Sequence, residues 1–318
     1  MSGLVNWGIL GYARIARNSL IPAISRATHA HLYGVASRNS TQLPVGEWDK
    51  SYPDYASLLA DEAIDAVYIP LPNSLHKTWV IRALEAGKHV LCEKPLGLTA
   101  EEGIAMHKAA QQHGRILMEA FMYRYTQRMQ AVKSVLESGV LGDIRHINAT
   151  FRFLLNRPGT IKMQPALGGG ALYDVGCYPV NFVGMVTQRV PVRCEVLCEM
   201  DNGVDTQLSA LLQYDDGLIA NIDCGFNSFG SNFAEIIGTK GLLRIEDTFQ
   251  DNAGDIWLHT SEGSRAIPVE ESDRYLAEVS QFSAAVLKQP AHCLSLEESI
   301  RNLQVLDMIR TKLPTTSK

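Results

Sequence analysis

The feature that most limits the folds open to this chain is the alternation of short apolar runs with helical patterns over its first 120 residues. "LVNWGIL" (4–10) reads as a strand, and a helix follows from about Ala13 to Arg26. "HAHLYGVAS" (29–37) and "AIDAVYIP" (63–70) are the next strands. The helix after the latter, from about Ser74 to Ala86, closes on Gly87 in the position after its C-cap. "HVLCE" (89–93) precedes a T-x-x-E capping box, Thr99 with Glu102, that opens a helix ending at Gly114. "RILMEA" (115–120) completes the series. Strands that alternate with helices cannot be joined as hairpins, so the pattern predicts a doubly wound parallel sheet.

A further helix at about 127–138 is stopped by Gly139, and the pattern then changes. "HINATFRFLL", "VRCEVLCEM", "TQLSALLQY", "LIANIDCGF", "FAEIIGT" and "LLRIED" are alternating or apolar strands, some joined by turn pairs such as Asp216-Gly217 and Lys240-Gly241. Two helical segments follow, at about 273–288 and 295–312. The expected class is α/β: a Rossmann dinucleotide-binding domain over 1–122, then an α+β domain over 123–318. The second domain would carry a large, mostly antiparallel open sheet and serve substrate binding and oligomerisation. A chain of 318 residues is long enough for both cores.

Composition removes several function classes. The net charge of −5 argues against nucleic acid or an anionic membrane as the main partner. No window reaches the roughly 18 uninterrupted apolar residues of a membrane span. "MSGLVNWGILG" has no basic region and runs straight into a strand, so no signal peptide is expected and the location is expected to be cytoplasmic. The six cysteines at 92, 177, 194, 198, 224 and 293 lack zinc spacing, which predicts reduced thiols, no disulfide and no metal.

"GILGYARIA" (8–16) lies where a dinucleotide fingerprint belongs, after the first strand and at the mouth of the first helix. Aligned on G-x-G-x-x-G, it keeps only Gly11 and puts Ala13 and Ala16 at the other two positions. Gly11 would make the tight turn, Ala13 would admit a pyrophosphate almost as closely as glycine, and Ala16 would allow close helix packing. The pyrophosphate would then meet the helix N-terminus across Tyr12, Ala13, Arg14 and Ile15. An NAD site would place Asp or Glu at the end of the second strand. This chain has "VASRNS", where Ser37 and Arg38 could pair a 2′-phosphate that a carboxylate would repel. NADP(H) is therefore favoured and NAD(H) remains possible; the alternative for Arg38 is a solvated loop charge. The third strand ends "IPLPNSLHK", which puts Pro70, Asn73 and His76 at the ligand edge of the sheet. Asn73 or Ser74 could equally cap the next helix.

"GILGYARIA", "PNSLH", "CEKP", "EAFMYR" and "GGGALYDVGCY", in that order and over nearly the whole chain, resemble the Gfo/Idh/MocA oxidoreductases. The resemblance is strongest to the branch with dihydrodiol dehydrogenase, NADP-dependent D-xylose dehydrogenase and glucose–fructose oxidoreductase. It implies an NAD(P)-dependent enzyme that moves hydride between the nicotinamide and a secondary alcohol or carbonyl of a sugar or polyol. Alternatives on the same chemistry are a trans-dihydrodiol or inositol dehydrogenase and a keto-sugar reductase. A non-catalytic NADP-sensing regulator is the reading from another class, and loss of the lysine, aspartate and tyrosine discussed next would be its mark.

The resemblance makes Lys94 of "EKP" the catalytic lysine, with Glu93 beside it and a cis bond to Pro95. The residues agree with this reading. Asp174 and Tyr178 stand four apart in an expected helical turn, which would put both on one face. A carboxylate, a phenol and an ammonium form a set that can handle a proton, because a nearby ammonium favours the phenolate. The family analogue supports Tyr178 as acid/base, Lys94 as its electrostatic partner and Asp174 as an orienter of Lys94 or of a substrate hydroxyl. Which of Lys94 and Tyr178 passes the proton stays open, since the groups would titrate together. Pro179 should bend the chain just beyond.

"EAFMYRY" and "FRFLLNRPG" are expected on the substrate side, where Arg124 and Arg157 hold substrate hydroxyls or form ion pairs. Phe121, Met122 and Tyr123 read as wall and core. The stretch "NSTQLPVGEWDKSYPDYASLLA" departs from the family, since it is too short and too broken for a full helix near the adenosine end. A homo-oligomer, with a dimer favoured, is expected from analogy with relatives that pair through the large sheet.

Overall fold

The computed structural model describes residues 3–38, 43–44, 48–157, 159–250 and 254–314. They form two compact units. The first holds the chain up to Met122 together with Arg274–Ser299, and the second holds Tyr123–Asp273 and the chain from Ile300 onward.

The sheet of the first unit contains β1 (Val5–Leu10), β2 (Ala30–Ala36), β3 (Lys50–Tyr52), β4 (Ala66–Ile69), β5 (His89–Glu93) and β6 (Leu117–Ala120). They run in the order β3-β2-β1-β4-β5-β6, and every pair is parallel. Val5, Trp7, Ile9 and Leu10 of β1 and all four residues of β4 are fully buried, as expected for central strands covered on both faces. Strand order reverses between β1 and β4, and at such a reversal the carboxyl ends of the strands open a crevice for ligands. The short β3, with two of its three residues exposed, carries too little apolar signal to be read from sequence.

The capping box has formed in part. Thr99 Oγ1 accepts from Glu102 N at 3.2 Å, while the Glu102 carboxylate accepts from Leu98 N at 2.8 Å instead of closing on Thr99. The helix Ala100–His113 ends at Gly114, whose left-handed φ of 59° costs a glycine little.

A single domain boundary at 122/123 needs correction, because Arg274–Ser299 returns to the first unit. The helix Arg274–Val286 supplies Val279 and Phe282, both fully buried. Phe282 lies 5.2 Å from the Trp7 ring, and Trp7 Nε1 donates to Ser283 Oγ at 3.2 Å. The apolar face of this helix is thus packed on β1.

The second unit is built on β7 (Ile144–Leu154), β8 (Arg193–Asp201), β9 (Val204–Gln213), β10 (Ile219–Gly225), β11 (Asn227–Gly238), β12 (Gly241–Glu246), β13 (Ile256–Thr260) and β14 (Gly263–Ile267). Their order is β14-β13-β12-β11-β7-β10-β9-β8, antiparallel throughout except for the parallel pair β7 and β10. Six of these strands are legible in the sequence. β13 and β14 are not, since β14 is almost wholly exposed and has no apolar face to betray it.

One face of this sheet is apolar and covered. Leu208, Ala210 and Leu212 of β9 and Ala220, Ile222 and Cys224 of β10 are buried on it, together with Phe182 and Val183 of the helix Cys177–Thr187. One helix in each unit shares a device. A π-turn at Ala16–Leu20 precedes Pro22, and another at Leu172–Gly176 precedes Pro179. A proline inside a helix lacks an N–H and crowds the carbonyl four residues back, and a widened turn relieves both. No helix among the described residues is long and apolar enough to cross a membrane. All six cysteines are free, and no group of three or more metal-ligating side chains occurs among the described residues.

Candidate active site

The first unit places its expected residues along the carboxyl edge of the parallel sheet. Gly11 ends β1 with φ 114°, a conformation that L side chains rarely adopt, and an added Cβ would come within 2.9 Å of Leu71. The turn that it makes leads into the first helix, whose opening N–H groups lack intrahelical partners and so suit an anionic pyrophosphate. Arg38, just beyond β2, sits beside the Tyr55 hydroxyl, and that hydroxyl lies 3.6 Å from where a Gly11 Cβ would be. Burial pushes the Tyr55 hydroxyl up and the Arg38 guanidinium opposes it. Gly11 and Arg38 thus both lie beside the Tyr55 hydroxyl. Tyr12 is held by an edge contact with Trp48 at 5.6 Å and by Arg17 stacked at 5.4 Å, while Arg14 is exposed. The broken stretch after Arg38 contains β3 and the helix Tyr55–Leu59, and its residues 39–42 and 45–47 lie outside the described residues.

Asn73 opens a short 3₁₀ turn, Asn73–Leu75, whose N-cap is Pro72, and Leu75 stands at the N-cap of the helix that follows. Pro70 is buried. His76, expected among the cofactor contacts, is corrected by the structure. It is 0% exposed, with Nδ1 2.9 Å from the Pro95 carbonyl and Nε2 2.9 Å from the Leu71 carbonyl. Burial lowers its pKa and the two carbonyls oppose that; both ring nitrogens face backbone oxygens, and whichever carries the proton donates to its carbonyl, so the ring is turned to the backbone and not to a ligand.

That ring lies under the E-K-P turn. Glu93 ends β5 and accepts from the Tyr68 phenol at 2.5 Å. Lys94 follows, and its bond to Pro95 is cis. Leu96 N then donates to Glu119 Oε1 at 2.8 Å. Glu119 is fully buried, and burial raises its carboxyl to about 7. Three side chains therefore surround this turn: His76 and Glu119 are committed to the backbone of Pro95 and Leu96, and Glu93 to the Tyr68 phenol. Sequence reasoning named only Glu93 and His76 and gave His76 a different role. Glu119 was hidden in a strand-end motif read for its aromatic residues.

In the second unit the GGG run explains itself residue by residue. Gly168 ends a 3₁₀ turn with φ 75°. An added Cβ on Gly169 would strike the Lys162 carbonyl at 2.5 Å. Gly170, with φ 114°, leaves room only for the Asp205 carboxylate. Asp205 is 4% exposed and accepts from Leu172 N at 2.6 Å, at the start of the π-turn; burial raises it to about 6. It therefore anchors the turn that carries Asp174, on to Tyr178 in the following helix. The one-face argument for Asp174 and Tyr178 needs correction, because Asp174 lies in that π-turn and a 3.6-residue period does not apply there.

Asp174 pairs with Lys162, Nζ to Oδ2 at 2.5 Å, a residue that the sequence offered no reason to single out. Tyr178 is 5% exposed, its ring 5.3 Å from Phe151, 5.7 Å from Phe249 and 6.0 Å from Tyr123. Tyr123 in turn donates to Asn181 Oδ1 at 2.6 Å, and Arg124 Nη1 donates to the same oxygen at 3.2 Å. Arg124 is thus buried among interior groups of this unit, so packing joins its expected substrate role. Arg157 is exposed and lines a cavity of about 340 Å³ with Leu155, Asn156, Met163, Thr206, Phe226 and Asn227.

Two family models match the chain. Residues 5–121 match an oxidoreductase family with an NAD-binding Rossmann fold, and residues 129–244 match the GFO/IDH/MocA C-terminal domain. The chain belongs to the Gfo/Idh/MocA oxidoreductase family. It is a nicotinamide-dependent oxidoreductase, and the turn at Gly11 with the edge at Ser37 and Arg38 fits that cofactor. Among its relatives, D-xylose 1-dehydrogenase (NADP(+)) 2 from Haloferax volcanii is 34% identical, with 95% of each chain covered. Trans-1,2-dihydrobenzene-1,2-diol dehydrogenase from Sus scrofa is 33% identical over 76% of this chain and 74% of that one. The crystal structure of KijD10, a 3-ketoreductase from Actinomadura kijaniata in complex with NADP and TDP-benzene, superposes with a TM-score of 0.89. It is 29% identical and covers 97% of this chain and 98% of its own.

Proposed function

We propose that this Gfo/Idh/MocA protein is an NADP-preferring dehydrogenase or reductase of a sugar or polyol, with Lys94, Asp174 and Tyr178 as its catalytic set. The observation that carries the substrate class is the end-to-end likeness to an NADP-dependent D-xylose dehydrogenase. The cofactor preference rests on Arg38 at the adenosine edge, since the sequence that follows β2, Ser37-Arg38, puts no carboxylate where one would meet a ribose 2′-hydroxyl.

When bound, a nicotinamide would supply the hydride acceptor for a carbinol carbon, or the hydride donor for a carbonyl carbon. In the oxidative direction the carbinol hydroxyl must also lose a proton. Tyr178 would take it as a phenolate. Lys94 would supply the positive charge that stabilises both the phenolate and the developing alkoxide. Asp174 would accept a hydrogen bond from a neighbouring substrate hydroxyl and so fix which carbon is presented. The backbone turn that carries Lys94 is stiffened by His76 and Glu119, which suits a group whose orientation sets the rate.

The same reading takes the protein to be a cytoplasmic homodimer. Its support is the uncovered face of the large sheet, where Leu197 is 81% and Leu211 52% exposed, with Phe229 at 94% on β11.

The test is a rate screen with NADP⁺ and NAD⁺ over aldoses, inositols and trans-dihydrodiols, with 3-keto sugars offered to NADPH. Turnover of an aldose with NADP⁺, reduced about 10²-fold or more in Lys94→Ala, is the expected result. Full turnover by that variant would remove Lys94 from the reaction. Faster turnover of the dihydrodiols would move the substrate class.

A further inference from the structure

Asp174 is seated by a lysine that comes from a loop rather than from any long helix or any strand of the sheet. Lys162 lies in the 3₁₀ turn Ile161–Met163 and reaches Asp174 Oδ2 at 2.5 Å. Both partners are partly screened from water, Lys162 at 33% and Asp174 at 20% side-chain exposure. An ion pair on an open surface contributes little, and its geometry wanders. This one is fixed at four places.

The first is the backbone. Lys162 O accepts from Gly170 N at 2.8 Å, and the next turn is tied by Gly169 N to Gln164 O at 3.1 Å. The second is the glycine run itself, since a side chain at Gly169 would collide with the Lys162 carbonyl. The third is the aromatic floor. The Lys162 ammonium stands 4.9 Å from the Phe153 ring centre and 5.9 Å from that of Phe226, and the two rings meet edge to face at 5.2 Å. The fourth is Asp174. The run of three glycines, which sequence reading treats as a signature of the motif, therefore has a physical purpose, which is to let the Lys162 loop close onto the turn that bears Asp174.

The location favours a role in the reaction over one in stability. Phe226, beneath the ammonium, and Met163, the next residue in the chain, both line the 340 Å³ cavity that also receives Arg157. A loop that needed only to be held could use its backbone bonds to the glycines. Lys162 adds a charged contact to the one carboxylate of the D-x-G-x-Y motif, at the border of that cavity.

We propose that Lys162 is a positioning residue of the active site, holding the Asp174 carboxylate in the orientation from which it accepts a substrate hydroxyl. The proposal rests on the assignment of Asp174 to the site made above. A carboxylate offers about four acceptor positions on its two oxygens, so an ammonium on one flank of Oδ2 fixes the plane of the group and leaves it able to accept from a substrate. Rotation of that plane would misalign the substrate hydroxyl and, through it, the carbinol carbon. Errors of about 1 Å in such alignment can cost about 10²-fold in rate.

A double-mutant cycle on the whole protein tests this, with Lys162→Met, Asp174→Asn, the pair, and Lys162→Arg, on the best substrate of the screen. Methionine keeps the stem over Phe153 and Phe226 and removes the charge. Expected are a fall of about 10- to 100-fold in kcat/KM for K162M, carried mostly by kcat, and recovery to within about threefold in K162R. The double variant should be no worse than D174N by more than about threefold, because the two residues act through one contact. The KM for the nicotinamide should stay within about twofold of wild type in all four. K162M at wild-type rate beside a damaged D174N would overturn the proposal and leave the assignment of Asp174 intact. Equal damage in K162R and K162M, or losses that multiply in the double variant, would also overturn it. A D174N enzyme at full rate would instead remove Asp174 from the site, and this proposal with it. Independently of turnover, lysine-selective ¹⁵N labelling should show a Nζ signal for Lys162 that is protected from solvent exchange and loses that protection in D174N. A signal unchanged by D174N would mean that no such pair persists in solution.

Discussion

The imidazole of His76 and the carbonyl of Pro95 lie 2.9 Å apart in the interior of the first unit, and through this contact the helix His76–Glu85 grips the turn that carries Lys94. A second carbonyl, that of Leu71, occupies the other ring nitrogen at 2.9 Å. A histidine that sequence places at the ligand edge is thus committed to the backbone behind it.

His76→Phe should therefore damage catalysis without touching the cofactor. It fills roughly the same space and removes the ring N–H, leaving a buried carbonyl without its donor, at about 1–3 kcal/mol. The melting temperature should fall by several degrees. The kcat should drop about tenfold or more as the Lys94 turn loosens, with the NADPH dissociation constant changed by less than about threefold. Fluorescence titration with NADPH beside steady-state rates separates the two. A kcat equal to wild type would show that Lys94 is held without the clamp.

Gly170→Ala tests the seat of Asp174. The φ of 114° is strained for alanine, and its Cβ would press on the Asp205 carboxylate. A loss of about 2–4 kcal/mol in the second unit is expected, with kcat/KM down at least about tenfold and NADPH binding kept. Thermal melts and NADPH titration of the purified variant check it; a melting curve equal to wild type would mean that the turn can relax around a methyl group.

How much of this was legible in the sequence follows from where the signals lie. The Rossmann half could be read because its strands are apolar on both faces and its helices end on Gly87 and Gly114, both at positive φ. Gly11, Arg38 and Lys94 follow from those strands by counting. The helix Arg274–Val286 was visible as a helix, but its unit was not, since only the packing of Phe282 on Trp7 assigns it. Asp205 sits at the start of an alternating strand, where a carboxylate reads as solvent-facing, and its burial depends on a turn 33 residues away. Lys162 belongs to no periodic element at all. Pro179 did mark a bend, and the bend is a π-turn that spoils the spacing argument for Asp174 and Tyr178. Phe249, against the Tyr178 ring, comes from a distant turn with no motif.

Asp205 also sets a pH dependence. Burial holds its carboxyl protonated up to about pH 6 in the folded protein, whereas an unfolded aspartate loses its proton near 3.8. The folded state binds this proton more tightly, so the contribution is full below about pH 4 and is lost as pH rises to about 6. Asp205→Asn keeps an oxygen to accept from Leu172 and cannot ionise. Relative to wild type, its melting temperature should rise between pH 4 and pH 6. Parallel thermal melts across that window check the sign, and a difference that shrinks with pH would refute it.

The cofactor edge gives the last prediction. Arg38 stands beside Tyr55, whose hydroxyl lies near Gly11, and on the proposed reading its guanidinium pairs the 2′-phosphate of NADP and has nothing comparable to hold on NAD⁺. Arg38→Ala removes a charge-assisted contact and leaves the pyrophosphate turn as it is. The KM for NADP⁺ should rise about 10- to 100-fold while that for NAD⁺ changes by less than about threefold, with kcat little altered for either. Raising the salt concentration should weaken NADP⁺ binding in the wild type more than in the variant, since the lost contact is between exposed charges. Equal losses for both cofactors would instead mean that Arg38 supports the fold of the turn through Tyr55, and that the 2′-phosphate is read elsewhere.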